Sequence, residues 1–280
     1  MTGAPASPEV SITVEELRAL QRTGAPLTLL DVRWRQDRPE GLPEYLAGHI
    51  PGAVFVDLEY ELSAPGRPAA EGPHPLPDPA AFQDSVRRWG IGPQDTVVVY
   101  DDLKNFSSAR AWWLLRHAGL ADVRVLDGSL RAWTQAGHAL AEGFELPEAT
   151  ETQIRFGTMK TAAPDEIAAL GPEAQLIDAR SAQRFAGDGH IPGALNAPVT
   201  GNVDERGRLL PAAQLRQRYL ELGVVPGVPL HCYCASGVHS THAVLALSAA
   251  GFDPVLFPGG FGQWVHDGRH AIHVSPQREL

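Results

Sequence analysis

The chain has 280 residues, 44% hydrophobic and 20% charged, with 23 basic against 33 acidic side chains and a formal net charge of −10. That length favours two domains and that composition a soluble globular protein, while the acidic balance argues against nucleic acid or an anionic membrane as partner. No apolar run reaches bilayer-spanning length, MTGAPASPEV reads as neither a secretory nor a transit leader, and two cysteines cannot build a disulfide framework, so the expectation is a cytoplasmic protein in a reducing compartment.

In chain order, VEELRALQRTG has the spacing of a helix closed by glycine, and LTLLDV is the short apolar run of a buried strand. DPAAFQDSVRRWG and SARAWWLLRHAG predict helices around the strand TVVVY, and VRVLD predicts another strand. The aperiodic AEGFELPEATETQIRFGTMK, residues 141–160, carries the linker. Beyond it, AQLIDA, VPLHCY and PVLFP read as strands, separated by the helical PAAQLRQRYLELG and STHAVLALSAAG. Doubly buried strands alternating with helices predict an α/β fold of mainly parallel sheets flanked by helices.

The chain also repeats itself. HIPGA occurs at residues 49–53 and 190–194, preceded by LLDVR and LIDAR respectively. TVVVYDD has a counterpart in VPLHCYC, and DGSLRAWTQAG has one in PGGFGQWVHDG. Four matches in one order indicate a tandem duplication of a domain-sized unit. The copies are placed at 1–142 and 161–280, with the linker at 143–160.

Both cysteines, Cys232 and Cys234, fall in CYCASGVHS, where an apolar strand gives way to a tight loop and then a helix. A disulfide between cysteines two apart on an extended segment would be badly strained. Ligands bind at the carboxyl edge of open parallel sheets, and loop amides with a helix N-terminus make an anion cradle there. Cys234 stands at that edge, in a setting that favours thiolate, the nucleophilic form. Cys232, mid-strand, reads as a buried structural cysteine.

These residues resemble the tandem-domain rhodanese family of sulfurtransferases over nearly the whole chain. The carriers are LLDVRW, both HIPGA boxes, VVVYDD followed by SARAWWLL, LIDARSAQRF, YCASGVHS and the two terminal glycine–tryptophan segments. The resemblance implies two tandem rhodanese-like domains, the first inactive and the second catalytic, with Asp101 standing where the second copy has Cys234. It implies that Cys234 takes up a sulfur atom as a persulfide, which the amides of residues 235–240 stabilise. A thiophilic acceptor then removes it: cyanide, a small thiol, or a protein thiol such as a thioredoxin-like protein. This is covalent catalysis with no metal and no organic cofactor. A duplicated pair already buries one interface internally, which points to a monomer.

The branch of the family concerns the sulfur donor. Thiosulfate-type loops carry basic residues, as in CRKGV, whereas 3-mercaptopyruvate-type loops read CGSGV. Here Ala235, Ser236, Gly237, Val238, His239 and Ser240 include no lysine or arginine, which suits a monoanionic 2-oxo acid better than a dianion. By resemblance to the mercaptopyruvate branch, Glu59 and His74 join Ser236 in a proton relay, Arg184 holds the substrate carboxylate and Arg110 lines the cleft. Arg110 reads equally as half of a structural ion pair, and Asp178 and Arg180 as a buttress of the strand end. Three departures stand out. Ala235 replaces glycine and threatens strain if its φ is positive. His239 replaces threonine and could add charge when protonated. The loop after Arg184 is short and lacks a second arginine.

The rival readings are a thiosulfate:cyanide sulfurtransferase and a persulfide relay or partner-binding module without turnover. A phosphatase would need arginine where Ser240 stands. A zinc site of Cys232, Cys234, His239 and His242 lacks a usual spacing. GGFGQW fails the dinucleotide-loop spacing. His266, His270 and His273 read as surface histidines.

Overall fold

The computed structural model describes residues 9–268 and 270–274; the remaining ends of the two predicted domains lie outside the described residues. The N-terminal half runs β1 (Ser11–Ile12), α1 (Val14–Thr23), β2 (Leu27–Asp31), α2 (Leu42–Ala47), β3 (Ala53–Phe55), α3 (Leu58–Glu61), α4 (Pro79–Arg88), β4 (Thr96–Tyr100), α5 (Ser108–His117), β5 (Val123–Leu126) and α6 (Ser129–Gln135). The C-terminal half runs α7 (Pro164–Ala168), β6 (Gln175–Asp178), α8 (Ala182–Gly187), β7 (Leu195–Asn196), α9 (Ala212–Glu221), β8 (Leu230–Tyr233), α10 (His239–Ala249), β9 (Pro254–Leu256) and α11 (Gly260–Asp267).

All strand pairs within the two sheets are parallel, in the orders β1-β5-β4-β2-β3 and β7-β6-β8-β9. The strands are short and rich in valine, leucine and isoleucine because both faces are covered by helices. Each HIPGA box is fastened to a central strand. The Ile50 N–H donates to Tyr100 Oη at 3.0 Å, and the Ile191 N–H donates to Tyr233 Oη at 3.1 Å. The boxes therefore lock the edge of each sheet from which the functional loops emerge.

Two helices set the relation between the copies. α5 follows β4 and α10 follows β8, and they pack on each other. Ala111, Leu114 and Leu115 share one buried cluster with Val244, Leu245 and Leu247. Burying each such leucine contributes about 2 kcal/mol. Because each helix begins where its strand-end loop stops, this packing brings the two loops together. The Phe106 ring lies 5.7 Å from that of His239 and 4.9 Å from that of His242.

The linker is an ordered strap. Thr150 and Thr152 hydroxyls donate to Ile91 O, and Arg155 and Gly157 amides donate to Ala118 O and His117 O. Past it, the Ala162 N–H joins Leu256 O of β9 at 2.9 Å. No helix among the described residues is long and apolar enough to cross a membrane.

Candidate active site

Cys234 lies just past β8, at the carboxyl edge of the second sheet, and is 3% exposed. It opens onto a cavity of about 580 Å³. The wall is shared between the copies: Trp34, His74 and Phe106 come from the first, and Arg184, Cys234, Ala235, Ser236, Val238 and His239 from the second. Cys232 sits two residues back, fully buried against Leu256 and Ile177 in the sheet register. Burial pushes its thiol up, so it stays protonated and away from the cavity.

The loop from Ala235 to Ser240 keeps its backbone donors free. Those six N–H groups donate to no acceptor among the described residues. Gly237 makes the turn possible. Its φ is +79°, and a Cβ there would stand 1.9 Å from Pro258 O, so no other residue fits. The loop is closed from outside by the start of α11, where Phe261 and Gly262 amides donate to Cys234 O at 2.7 Å and Ala235 O at 2.8 Å. The threat of strain at Ala235 is not realised: it is absent from the residues with positive φ, and alanine is accommodated there.

The first copy shows what such a loop does with an anion. Asp101 occupies the position equivalent to Cys234, and its carboxylate is fully buried. The Leu103 and Asn105 amides donate to Oδ1 at 2.7 and 2.8 Å, and the Ser107 and Ser108 amides donate to Oδ2 at 2.8 and 3.0 Å. The Ser129 hydroxyl adds a fifth donor at 2.8 Å. One copy of the loop is thus filled by the protein's own carboxylate, and the other follows a cysteine and leaves its amides without an acceptor among the described residues. A carboxylate so saturated is held as an internal anion, its oxygens taken up by the loop's own donors.

His74 reaches the second copy because its loop presses against α11. Pro73 packs so closely on Gly262 that a Cβ there would come within 2.7 Å of the proline ring. His74 Nε2 pairs with Glu59 Oε1 at 3.1 Å, and the Trp34 indole N–H donates to the same oxygen at 2.7 Å. Glu59 therefore stands behind His74 and off the cavity wall. His74 Nδ1 is buried without a partner. Ser236 faces the same cavity, but no hydrogen bond joins it to His74, so the expected three-residue relay is assembled here as a pair plus a separate hydroxyl.

Arg184 sits on α8 at the cavity rim, roughly half exposed, with Nε donating to Asp188 Oδ2 at 2.9 Å. Arg180 is held by Asp178 at 2.6 Å, as Arg33 is by Asp31 in the first copy, and lies 3.9 Å from the Phe261 ring centre. Both members of this buttress are buried, yet Arg180 also lines the cavity, and its Nη1, which makes no hydrogen bond, lies 3.9 Å from Asp188 Oδ2.

Two expectations change. Arg110 does not line the cavity; it is fully buried beneath the Cys234 loop and pairs with no carboxylate among the described residues. His239 does line the cavity, but burial holds its imidazole below the usual histidine range, with Asp101 opposing and His74 and Arg184 reinforcing the shift. It therefore brings a neutral ring at neutral pH and not an extra charge. Ser240 is fully buried with its hydroxyl making no hydrogen bond, and neither Ser240 nor Gly237 lines the cavity. Among the three C-terminal histidines, His266 and His273 are exposed, whereas His270 is half-buried and stacked on Trp264.

Sequence reasoning assigned no role to Trp34, Phe106, Phe261 or Val265, all on the cavity wall. Phe261 and Val265 do lie within PGGFGQWVHDG, a segment shared by the duplicated copies, but a wall formed across two domains leaves no local pattern.

Comparison with known proteins agrees with this architecture. The model of the rhodanese-like domain matches residues 13–136 and again 163–267. The thiosulfate sulfurtransferase of Gallus gallus is 32% identical over 259 residues, 88% of this chain and 88% of that one. The 3-mercaptopyruvate sulfurtransferase of Escherichia coli K12 is 38% identical over 235 residues, 79% of this chain and 82% of that one. The crystal structure of SseA from Escherichia coli, described as a 3-mercaptopyruvate sulfotransferase of the rhodanese fold, superposes with a TM-score of 0.82 at 33% identity, covering 90% of this chain and 99% of that one. Two matched domains, each with a parallel sheet and its strand-end loop, place this chain in the tandem-domain rhodanese family of sulfurtransferases.

Proposed function

We propose that the protein moves a sulfane sulfur from 3-mercaptopyruvate to a thiophilic acceptor through a persulfide on Cys234. The observation that carries this reading is the contrast between the two strand-end loops: in one copy the loop amides close on the Asp101 carboxylate, and in the other the loop that follows Cys234 leaves the amides of residues 235–240 without an acceptor among the described residues. The Cys234 thiolate attacks the donor sulfur, the carbon–sulfur bond breaks, and the electron pair leaves on the carbon skeleton as the enolate of pyruvate. In this reading the proton that the enolate takes up comes from the cavity wall, where Ser236 and, separately from it, the His74 of the His74–Glu59 pair stand. An acceptor such as cyanide or a thiol, including one on a thioredoxin-like protein, then attacks the outer sulfur and releases the Cys234 thiolate. Both cysteines are free thiols, which suits a reducing, cytoplasmic setting.

The names of the relatives divide between two donors, and the charge of the cavity favours one. Its cations are already matched: Arg180 by Asp178 and Arg184 by Asp188. His239 is neutral. A thiosulfate dianion entering this partly desolvated space would meet little unmatched positive charge on the cavity wall itself, whereas a monoanionic 2-oxo acid needs only the Arg184 fork for its carboxylate. Steady-state kcat/KM for 3-mercaptopyruvate and for thiosulfate, both with cyanide as acceptor, tests this. The proposal expects a clear preference for 3-mercaptopyruvate; equal values or a preference for thiosulfate would overturn the donor assignment and leave sulfur transfer standing.

A further inference from the structure

Arg110 is a fully buried guanidinium with no carboxylate partner among the described residues. Four backbone carbonyls solvate it. Nε donates to Leu62 O at 3.2 Å, Nη1 to Gly237 O at 3.3 Å, and Nη2 to His74 O at 3.0 Å and Pro75 O at 3.3 Å. Burial pulls its pKa down to about 10, with nearby Cys234 opposing, so it remains a cation at neutral pH. An apolar side chain of similar length would fill this space without the desolvation cost of a buried ion. The charge and the fork therefore need a reason other than packing.

The acceptors supply one. Gly237 belongs to the cradle, and His74 to the wall opposite. In a planar trans peptide the carbonyl and the following N–H point in opposite directions. Drawing Gly237 O down onto Arg110 turns the Val238 N–H away from Arg110, toward the cavity. In the first copy the Asn105 amide, four residues past Asp101 as Val238 is four past Cys234, donates to the Asp101 carboxylate at 2.8 Å. We infer that Arg110, contributed by the domain without a nucleophile, is a positioning residue: it aims the Val238 N–H at the sulfur on Cys234, fixes the His74 backbone with the same guanidinium, and supplies the buried positive charge that faces the thiolate. This rests on the reading of Cys234 as the sulfur carrier. It also gives the inactive first domain a catalytic purpose beyond covering the second.

Arg110→Met and Arg110→Lys test it, with circular dichroism and thermal unfolding as the check on folding. Two readouts are needed. The first is alkylation of Cys234 by iodoacetamide at neutral pH, followed on the modified peptide, which requires no sulfur donor. The other titratable or charged groups around the cavity, His74, Arg180, Arg184, Asp188 and His239, are unchanged in both variants. The second is sulfur transfer from 3-mercaptopyruvate to cyanide, with kcat and KM separated. We expect Arg110→Met to slow alkylation several-fold and lower kcat about a hundredfold, as for loss of an aimed anion donor, with little change in KM because Arg110 does not touch the donor. Arg110→Lys keeps the charge but cannot span four carbonyls, so it should restore alkylation more than turnover. Parental alkylation and kcat in a folded Arg110→Met would overturn the inference, as would failure of both variants to fold, which would assign Arg110 to structure. Failure of the Cys234 reading is distinguishable: the parent would then transfer no sulfur, while the alkylation arm would still report on Arg110.

Discussion

Gly237→Ala asks one methyl group to enter space held by a backbone carbonyl. The new Cβ would stand 1.9 Å from Pro258 O, where real Cβ atoms keep at least 3.0 Å, and the backbone would have to hold φ at +79°. The loop or Pro258 must therefore give by about 1 Å in a close-packed region. Alanine in the left-handed region costs about 1 kcal/mol, and overpacking adds about 1–3 kcal/mol, for an expected loss of about 2–4 kcal/mol. Gly227 is the matched control: its φ is +83°, and nothing lies within 4 Å of its Cβ position. Gly227→Ala should lose only the backbone part, about 1 kcal/mol. Urea denaturation of both variants at neutral pH isolates the collision. Persulfide formation measured in a single turnover should fall about a hundredfold in Gly237→Ala, because the cradle amides shift, and stay parental in Gly227→Ala. Equal stability losses, or a parental rate in a folded Gly237→Ala, would refute the claim that this loop is rigidly specified.

Other outcomes follow from the same geometry. His242 is buried, with its pKa lowered by burial and by His239 to about 3. The unfolded chain takes up its proton near the ordinary histidine value and the folded chain does not, so stability falls as pH drops from about 6.5 toward 3, by about 2–3 kcal/mol at pH 4.5. His242→Leu should flatten that part of the denaturation profile, and an unchanged slope would contradict the burial argument. Cys232→Ala should retain most sulfur transfer, since that thiol is buried and kept protonated; an inactive variant would show that the second sulfur takes part. Arg184→Ala should raise KM for 3-mercaptopyruvate more than for thiosulfate, because only the former has a carboxylate to lose, and equal effects would remove that role.

The long elements were legible because their signals are local. TVVVY and VPLHCY are runs too apolar to be anything but buried, and glycine follows the helices that end at Thr23, His117 and Ala249 within two residues. The short strands β1, β3 and β7 were not, since two or three residues carry no periodicity and owe their state to a neighbour already in place. The same division holds at the site. Cys234 announced itself through strand, glycine loop and helix in one stretch. Arg110 sits in an apolar helical run, and nothing in SARAWWLL tells that its guanidinium ends on carbonyls from three other segments rather than in a cleft. The neutral state of His239 likewise depends on burial between two domains, which no spacing encodes. Asp101 was visible as a substitution; that its carboxylate satisfies the whole loop was not.

The most direct measurement is intact-protein and peptide mass spectrometry after brief exposure to 3-mercaptopyruvate without acceptor. The account predicts one added sulfur atom, located on Cys234, removed by cyanide and absent from Cys234→Ser. A parent protein that stays unmodified while turning over donor, or that carries the sulfur on Cys232, would contradict it.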